Sequence, residues 1–395
     1  MRVVGAFRAH AREVASVVIV VGVVVSAATR LMPRHGSDDV AAARRGGACI
    51  ITVDSLAEPL GEAKLAVDEL AVPGALREKP PWSGWVELDL KRLPLQSTSE
   101  DVRAVAARIP NGLVVAVYNG ADAPIALKLA VRLRPGRYTA DRMVFSEEVR
   151  RVERLQSCMA SREGSVEKPG MLPPRAGAVY RFIDPAAAAL RAYQRTRQHV
   201  AAVRSLNSTQ YRRISSALSE CPWLLTRLQA SSRKPSTDMT LRSAHRGLLI
   251  VRHALALVNN AAGLRKVNES LADSLTADLE SLEQSLSECS VAVMNLVVSS
   301  GVVDGEDGTQ KATVTVYNAG GRTVNSVRLW VTGPEGCRIV PADAAVFRTL
   351  APRQTVTASF AILASSSAAS RSFVSHLDYQ MLSAPAHLAI PVTGL

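Results

Sequence analysis

The stretch Val114-Val115-Ala116-Val117-Tyr118-Asn119-Gly120 returns later in the chain as Thr313-Val314-Thr315-Val316-Tyr317-Asn318-Ala319-Gly320. Each copy leads into a second apolar strand pattern, Ile125 to Val131 and Val324 to Val331. A second landmark also repeats, Leu172-Pro173-Pro174-Arg175 with Phe182 and Leu350-Ala351-Pro352-Arg353 with Phe360. Two landmarks in one order predict a single β-module used twice. Within the phrase, Val314 and Val316 alternate with Thr313, Thr315 and Tyr317, which sets the valines inward and Tyr317 on the outer face. Asn119 and Asn318 stand before Gly120 and Ala319-Gly320, which predicts a turn role with tolerance of left-handed backbone.

Between the copies the period changes from two to three and four. Asp184-Pro185 offers an N-cap followed by proline in the first helical position. Four seams follow: Tyr193, Val200 and Val203; then Tyr211, Ile214, Leu218, Cys221, Leu225 and Leu228; then Leu241, Ala244, Leu248, Val251, Leu255, Val258 and Ala262; then Leu271, Leu275, Leu279, Leu282 and Leu286. Short connections make neighbouring helices antiparallel, so an up-down four-helix bundle is predicted. Pro222 sits inside the second seam without shifting its phase, which predicts a kink and not a break. The polar run from Glu147 to Lys168 reads as irregular. The second β-module is expected to begin at Val291 without a flexible linker, giving a stiff rod of sandwich, bundle and sandwich.

With 47% hydrophobic and 21% charged residues over 395 positions, the chain falls in the globular class and has room for two or three cores. Its net charge of +12 raises the question of polyanion binding. The distribution answers against nucleic acid. Residues 185–234 carry nine basic side chains against Glu220, while 267–289 carry six acids and no Lys or Arg, so the two segments are expected to pair with each other.

Arg2, Arg8 and Arg12 precede an uncharged run from Val14 to Thr29. At about 1.5 Å per residue this run falls short of a ~30 Å hydrocarbon core. Ser26-Ala27-Ala28 suits signal-peptidase cleavage, whereas Arg30 and Arg34 favour retention as a membrane anchor. Either way an extracytoplasmic location is expected, secreted, periplasmic or anchored, with residues 14–29 meeting the membrane if uncleaved. The five cysteines, Cys49, Cys158, Cys221, Cys289 and Cys337, are an odd number without a C-x-x-C spacing, and read mostly as buried apolar fillers.

Residues 291–395 resemble the NPCBM-associated NEW-type β-sandwich found beside carbohydrate modules in bacterial α-galactosidases. The residues that carry the resemblance are Val314, Val316, Asn318 and Gly320, then Val331-Thr332-Gly333-Pro334-Glu335-Gly336-Cys337 to Pro341, then Leu350-Ala351-Pro352 before Val356 to Phe360. Such domains carry Trp after the Pro-x-Gly and Gly after the Leu-x-Pro. Cys337 and Arg353 stand there in this chain, with Trp330 the candidate to refill the core. Residues 80–183 are similar to the C-terminal β-sandwich of glycosidases, through Val114–Asn119, Leu133 to Tyr138 and Leu172 to Phe182. The resemblances imply a carbohydrate setting.

The expected fold is thus multidomain, with two antiparallel β-sandwiches (immunoglobulin/fibronectin-like) separated by an antiparallel four-helix bundle. The expected boundaries are 1–28 for the signal peptide or anchor, 29–46 for a flexible lead-in, 47–183, 184–289 and 290–395. No G-x-S-x-G, H-E-x-x-H or phosphate-cradling loop occurs, and no segment alternates as a (β/α)₈ barrel would, so no enzyme and no cofactor are expected. His245 and His253 are expected to line the bundle or face solvent. Trp82 and Trp85 are the candidate sugar platform. Asp304, Glu306 and Asp307 are the candidate Ca²⁺ ligands, set against a plain solvated turn.

The expected function is a non-catalytic envelope or surface protein, a spacer or binding adaptor with a glycan or envelope protein as partner. The alternative is an accessory component of a glycosidase system. N-terminal sequencing of the exported protein is expected to begin at Thr29, and a retained Met1 would establish the anchor instead.

Overall fold

Both copies of the repeated phrase are β-strands that end on their asparagine. The computed structural model describes residues 49–62, 91–109, 111–145, 150–160, 165–232, 237–304, 310–333, 337–364, 372–381 and 384–393, and all of them belong to one compact unit. The first β-region comprises β1 (Cys49–Asp54), β2 (Gly61–Glu62), β3 (Lys91–Leu93), β4 (Leu95–Ser97), β5 (Val102–Ile109), β6 (Gly112–Asn119), β7 (Ile125–Arg132), β8 (Gly136–Phe145), β9 (Arg150–Ala160), β10 (Ser165–Leu172) and β11 (Gly177–Ile183). Helices α1 (Pro185–Leu206), α2 (Ser208–Ala217), α3 (Cys221–Ser232), α4 (Thr237–Gly263) and α5 (Glu269–Met294) follow. The second β-region comprises β12 (Leu296–Asp304), β13 (Gln310–Asn318), β14 (Val324–Thr332), β15 (Cys337–Val340), β16 (Ala345–Leu350), β17 (Thr355–Ala364), β18 (Ser372–Met381) and β19 (Ala384–Thr393).

Helices and antiparallel sheets make up the protein, with one parallel pair among the described strands, β1 with β7. Two short sheets run β10-β7-β1-β4 and β16-β14-β18-β19. The third sheet has eleven strands, in the order β15-β17-β13-β12-β9-β8-β11-β6-β5-β3-β2. It passes through both β-regions, because β9 pairs with β12 from Arg150↔Val302 to Arg154↔Val298. The expected rod is therefore corrected: the helices separate the two β-regions in sequence, while in space the regions are hydrogen-bonded side by side. The polar run from Glu147 to Lys168, expected to be irregular, supplies this joint as β9. Its ladder bonds to β8 and β12 are made by backbone groups, which a polar side-chain pattern does not report.

Two layers meet in each region. Ile51, Val53, Leu129 and Val131 of the first short sheet pack on Leu113, Val115, Val117, Tyr180 and Phe182 of the long sheet. In the second region Val314, Val316 and Phe360 face Leu329, Phe373, Leu377 and Tyr379, and this core runs on into the helical seams without interruption. Each fully buried Leu or Phe contributes about 1.5–3 kcal/mol by leaving water.

The two asparagines do more than the expected turn role. Both are fully buried, and neither adopts left-handed backbone. The Asn119 side-chain NH₂ donates to the carbonyls of Ala123, Leu172 and Pro173, while its Oδ1 accepts from the Ala121 N–H at 3.0 Å. Asn318 repeats the pattern, donating to the carbonyls of Arg322 (2.7 Å) and Leu350 (3.0 Å) and accepting from the Gly320 N–H. Each asparagine therefore ties its own turn to the Leu-Pro landmark, which explains why the two landmarks recur together. At the Leu-Pro landmarks the left-handed residues are Arg175 (φ 47) and Arg353 (φ 64), one residue beyond each proline. Arg353 occupies the position where the resembled domains carry glycine, the residue for which this backbone costs nothing.

In the helices, the Asp184 carboxylate accepts from the Ala186 and Ala187 N–H groups at 3.0 Å, with Pro185 in the first turn, as expected. Tyr193, Val200, Val203, Ile214, Leu218, Leu225, Leu228, Leu248, Val251, Leu275, Leu279 and Leu282 are all buried on the common seam. Pro222 breaks the second helix instead of kinking it. Helix α2 ends at Ala217 and α3 restarts at Cys221, so the proline falls in a first turn where its missing N–H goes unused. Val291 to Met294, expected to open a strand, are the buried last turn of α5, closed by Asn295 in left-handed conformation (φ 57). Strand β12 starts directly after it.

The expected pairing of charged segments is partly realised. Buried Asp278 takes Arg195 at 2.9 Å and His199 at 2.7 Å, whereas Glu283 pairs with Arg252 of α4, outside the basic segment. Among the described residues no helix is long and apolar enough to cross a membrane.

Replacing Asn318 by Ala removes the partner of the Gly320 N–H and of the Arg322 and Leu350 carbonyls, with an expected loss of about 3 kcal/mol in urea unfolding. Arg353→Gly is expected to gain about 0.5–1 kcal/mol, because relief of the left-handed strain exceeds the entropy that glycine adds to the unfolded chain.

Candidate functional site

The described surface with the most concentrated side-chain chemistry is the outer face of the sheet β16-β14-β18-β19. Along β14 the pleat sends Leu329 and Val331 inward and Trp330 and Thr332 outward. Along β18, Leu377 and Tyr379 are buried while His376 and Asp378 are half-exposed. On β19, Ala386 and Leu388 are buried and His387 is half-exposed. Trp330 stands directly opposite His376, and Asp378 opposite His387.

The rings of Trp330 and His376 stack with centroids 4.8 Å apart and planes 10° from parallel. His376 and His387 continue the stack at 5.3 Å and 28°. Such contacts contribute about 0.5–1.5 kcal/mol each beyond the area they bury. On the side of Trp330 away from His376 the neighbouring strand stops short: Leu329 pairs with Ala345, the first residue of β16. The indole therefore has no strand-ladder partner on that side.

A directed set of hydrogen bonds orients the imidazoles. Asp378 Oδ1 lies 2.8 Å from His387 Nδ1 and, as a carboxylate, can only accept. An imidazole with its one proton on Nδ1 offers a lone pair on Nε2, and Nε2 of His387 faces His376 Nδ1 at 3.4 Å. His376 in turn offers Nε2 to the Thr332 hydroxyl, 2.8 Å away. One carboxylate thus fixes both tautomers and the sense of the whole chain. Burial, reinforced by the neighbouring His387 and partly countered by Asp378, pushes His376 down to about 4. It is neutral at physiological pH, as acceptance from Thr332 requires.

The sheet beneath is fixed from behind. The Tyr379 hydroxyl hydrogen-bonds Ser290 of α5, and Gln284 of the same helix donates to the Ala389 carbonyl and accepts the Ala389 N–H, each at 3.2 Å. That side chain occupies ladder positions on the edge strand β19, which would otherwise be open to a foreign strand. The platform is therefore held on rigid elements.

Trp330, the expected core filler, is instead half-buried on the outer face and packs only at the rim of the core. The interior under β14 is filled by Phe360, Phe373 and Tyr379. The candidate platform residues Trp82 and Trp85, and the candidate Ca²⁺ ligands Glu306 and Asp307, lie outside the described residues. Asp304 ends β12, and its side chain lies outside them as well. Among the described residues no group of three or more His, Cys, Asp or Glu side chains is placed to hold a metal. His245 is half-buried and His253 exposed on α4.

Cys49, Cys221 and Cys289 are buried, as the filler reading expects, while Cys337 is half-buried. The side chain of Cys158 lies outside the described residues. Burial pushes the Cys221 thiol up to about 12, so it is protonated and unreactive at neutral pH. The stacked site was legible in the sequence only as outward positions carrying Trp, His, Asp and His on strands paired far apart in number.

Residues 305–373 match the family model of the NPCBM-associated, NEW3 domain of alpha-galactosidase. Trp330 and Thr332 fall inside that segment. Solved structures similar to parts of the chain include glycoside hydrolases, and the likenesses are slight. A GH30 endoxylanase from Clostridium papyrosolvens C71 is 14% identical over 26% of this chain and 26% of its own, with a TM-score of 0.21. A family 44 xyloglucanase from Paenibacillus polymyxa is 12% identical over 28% of this chain and 22% of its own, also at 0.21. The GAE domain of GGA2p from Saccharomyces cerevisiae is 9% identical over 25% of this chain and 86% of its own, at 0.19. The chain spans about a quarter of the first two, and at these scores the structural likenesses bear no weight on function. No curated protein matches the sequence.

His376 is depressed below its ordinary value near 6.5. Between pH 6.5 and about 4 the unfolded chain therefore binds more protons there than the folded one, and stability falls as pH drops through that window. Thermal unfolding of the wild type is expected to show this decline. His376→Gln, which cannot titrate, is expected to flatten it; an equal decline in the variant would remove His376 as its source.

Proposed function

We propose that this protein is an exported, non-catalytic, carbohydrate-associated adaptor that holds a sugar ring against Trp330. The observation that carries the reading is the stack of Trp330, His376 and His387 on the outer face of a sheet whose β14 lies in the NPCBM-associated segment. An indole with no strand partner on one side offers a flat apolar surface to the C–H face of a pyranose. Thr332 and Asp378 stand beside it as groups able to meet hydroxyls. Shared positioning by Asp378 and packing on α5 keep the surface preorganised.

In this reading the two β-regions act as immunoglobulin/fibronectin-like sandwiches, about 47–183 and 290–395. The helices at 184–289 form a four-pass bundle in which α2 and α3 make one interrupted pass. Two layered cores and the buried seams support that division. Because β9 pairs with β12, the adaptor is a block that displays its platform and not an extended spacer. The second reading, an accessory component of a glycosidase system, is favoured by the description of the matched family as a domain of alpha-galactosidase. It would show as co-purification with a glycosidase or stimulation of one.

Affinity electrophoresis of the chain through gels cast with neutral polysaccharides and peptidoglycan provides the test. Retention is expected in at least one gel, with Trp330→Ala weakening it about tenfold or more. Retention that survives Trp330→Ala unchanged would overturn the platform.

A further inference from the structure

A second surface, unrelated to the stacked rings, lies between α3 and α4. On α3, Trp223, Leu224 and Arg227 share one helical face; on α4, Met239, Arg242, Ser243 and Arg246 recur at steps of three and four. These faces, with Asp238, enclose a groove of about 510 Å³, within the range of small-ligand sites. Trp223 is 57% exposed, the kind of large apolar surface that a folded protein does not commonly leave in water.

The charges of the groove are unequally used. Arg246 is committed to Glu220 through two hydrogen bonds, Nε to Oε2 at 3.0 Å and Nη2 to Oε1 at 2.8 Å. Asp238 is paired with Arg322 from the turn after β13. Arg227 lies over the Trp223 ring, its guanidinium carbon 4.5 Å from the centroid. A guanidinium held over an indole face keeps N–H donors able to serve other acceptors. Exposed Arg242 has no acidic partner among the described residues. Two guanidiniums and a largely exposed indole thus border one cavity, while the groove's acid is already neutralised.

We propose that this groove binds an anionic pyranose, with the anion bridging Arg227 and Arg242 and the sugar ring lying against Trp223. Guanidinium groups recognise carboxylate, sulfate or phosphate oxygens in paired hydrogen bonds. The indole supplies the flat apolar partner that a charged sugar needs and a simple ion does not. An acidic peptide fits less well: both walls are helices with satisfied backbones, and they offer no strand edge to a peptide main chain. The site is independent of the Trp330 platform, so either can fail without the other.

The test is affinity electrophoresis of the full chain in gels containing polygalacturonate, dextran sulfate, unmodified dextran or polyglutamate. Retention by polygalacturonate or dextran sulfate is expected, with none by unmodified dextran, and the stronger of the two anionic gels identifies the preferred anion as carboxylate or sulfate. Trp223→Ala and Arg242→Ala are each expected to weaken retention about tenfold. Arg191→Ala, which removes an exposed charge on α1, is expected to leave it unchanged. The proposal is overturned if neither anionic polysaccharide retains the protein, or if Trp223→Ala has no effect. It also fails if Arg191→Ala costs as much as Arg242→Ala, which would indicate diffuse attraction to a basic protein. Equal, Trp223-dependent retention by polyglutamate would assign the groove to acidic peptides instead. Both key residues are surface-exposed, and unfolding curves that match the wild type separate lost binding from lost fold.

Discussion

Two buried carboxamides organise the β-structure. Asn119 and Asn318 each satisfy backbone groups on the turn just after them and on a Leu-Pro segment more than thirty residues further on. A fully buried amide is tolerated only when its donors and acceptor are matched, so each asparagine forces two distant segments into one arrangement. Strands β6 and β13 take their ends from this constraint. The segments that lead into β11 and β17 take their starting points from it. The layers that face one another across each core follow.

What was readable in the chain was whatever recurs in side-chain identity. The twin phrase, the Leu-Pro landmarks and the helical seams all showed themselves because burial selects residue type at fixed intervals. Asp184-Pro185 was readable for a related reason, since a cap is a local device written in adjacent residues. The features that escaped are those made by backbone or by geometry. Strand β9 is joined to β8 and β12 through peptide groups, so its charged, uneven sequence resembled a loop. Pro222 left the seam in phase, and phase alone does not distinguish a bent helix from two helices in line. Val291 to Met294 are apolar on every side because they are the buried end of α5, and a continuous apolar run reads equally well as a strand.

The candidate sites divide in the same way. Trp330 looked like a core plug because the resembled domains keep a tryptophan in the core nearby, yet its odd-even position on β14 sends it outward. His376, Asp378 and His387 gain meaning only through the pairing of β18 with β14 and β19, which no single stretch of sequence displays. The Trp223 groove went unread, because its aromatic and basic residues lie on two helices whose seams drew attention to the opposite, apolar faces. What the sequence lacked was the knowledge that Arg246 and Asp238 are already engaged elsewhere, leaving Arg227 and Arg242 as the available charges.

The eleven-stranded sheet has a mechanical consequence. The chain leaves it at β11 to enter the helices and returns at β12, three strand spacings away, roughly 14 Å. Tension applied between the two β-regions therefore has two parallel load paths, the short ladder between β9 and β12 and the long covalent excursion through five helices. The ladder, being far shorter, carries the load first, and the helices act as slack held in reserve. Should the ladder part, the helical segment would pay out as a tether and keep the two halves connected, so the joint resembles a fuse with a safety line behind it.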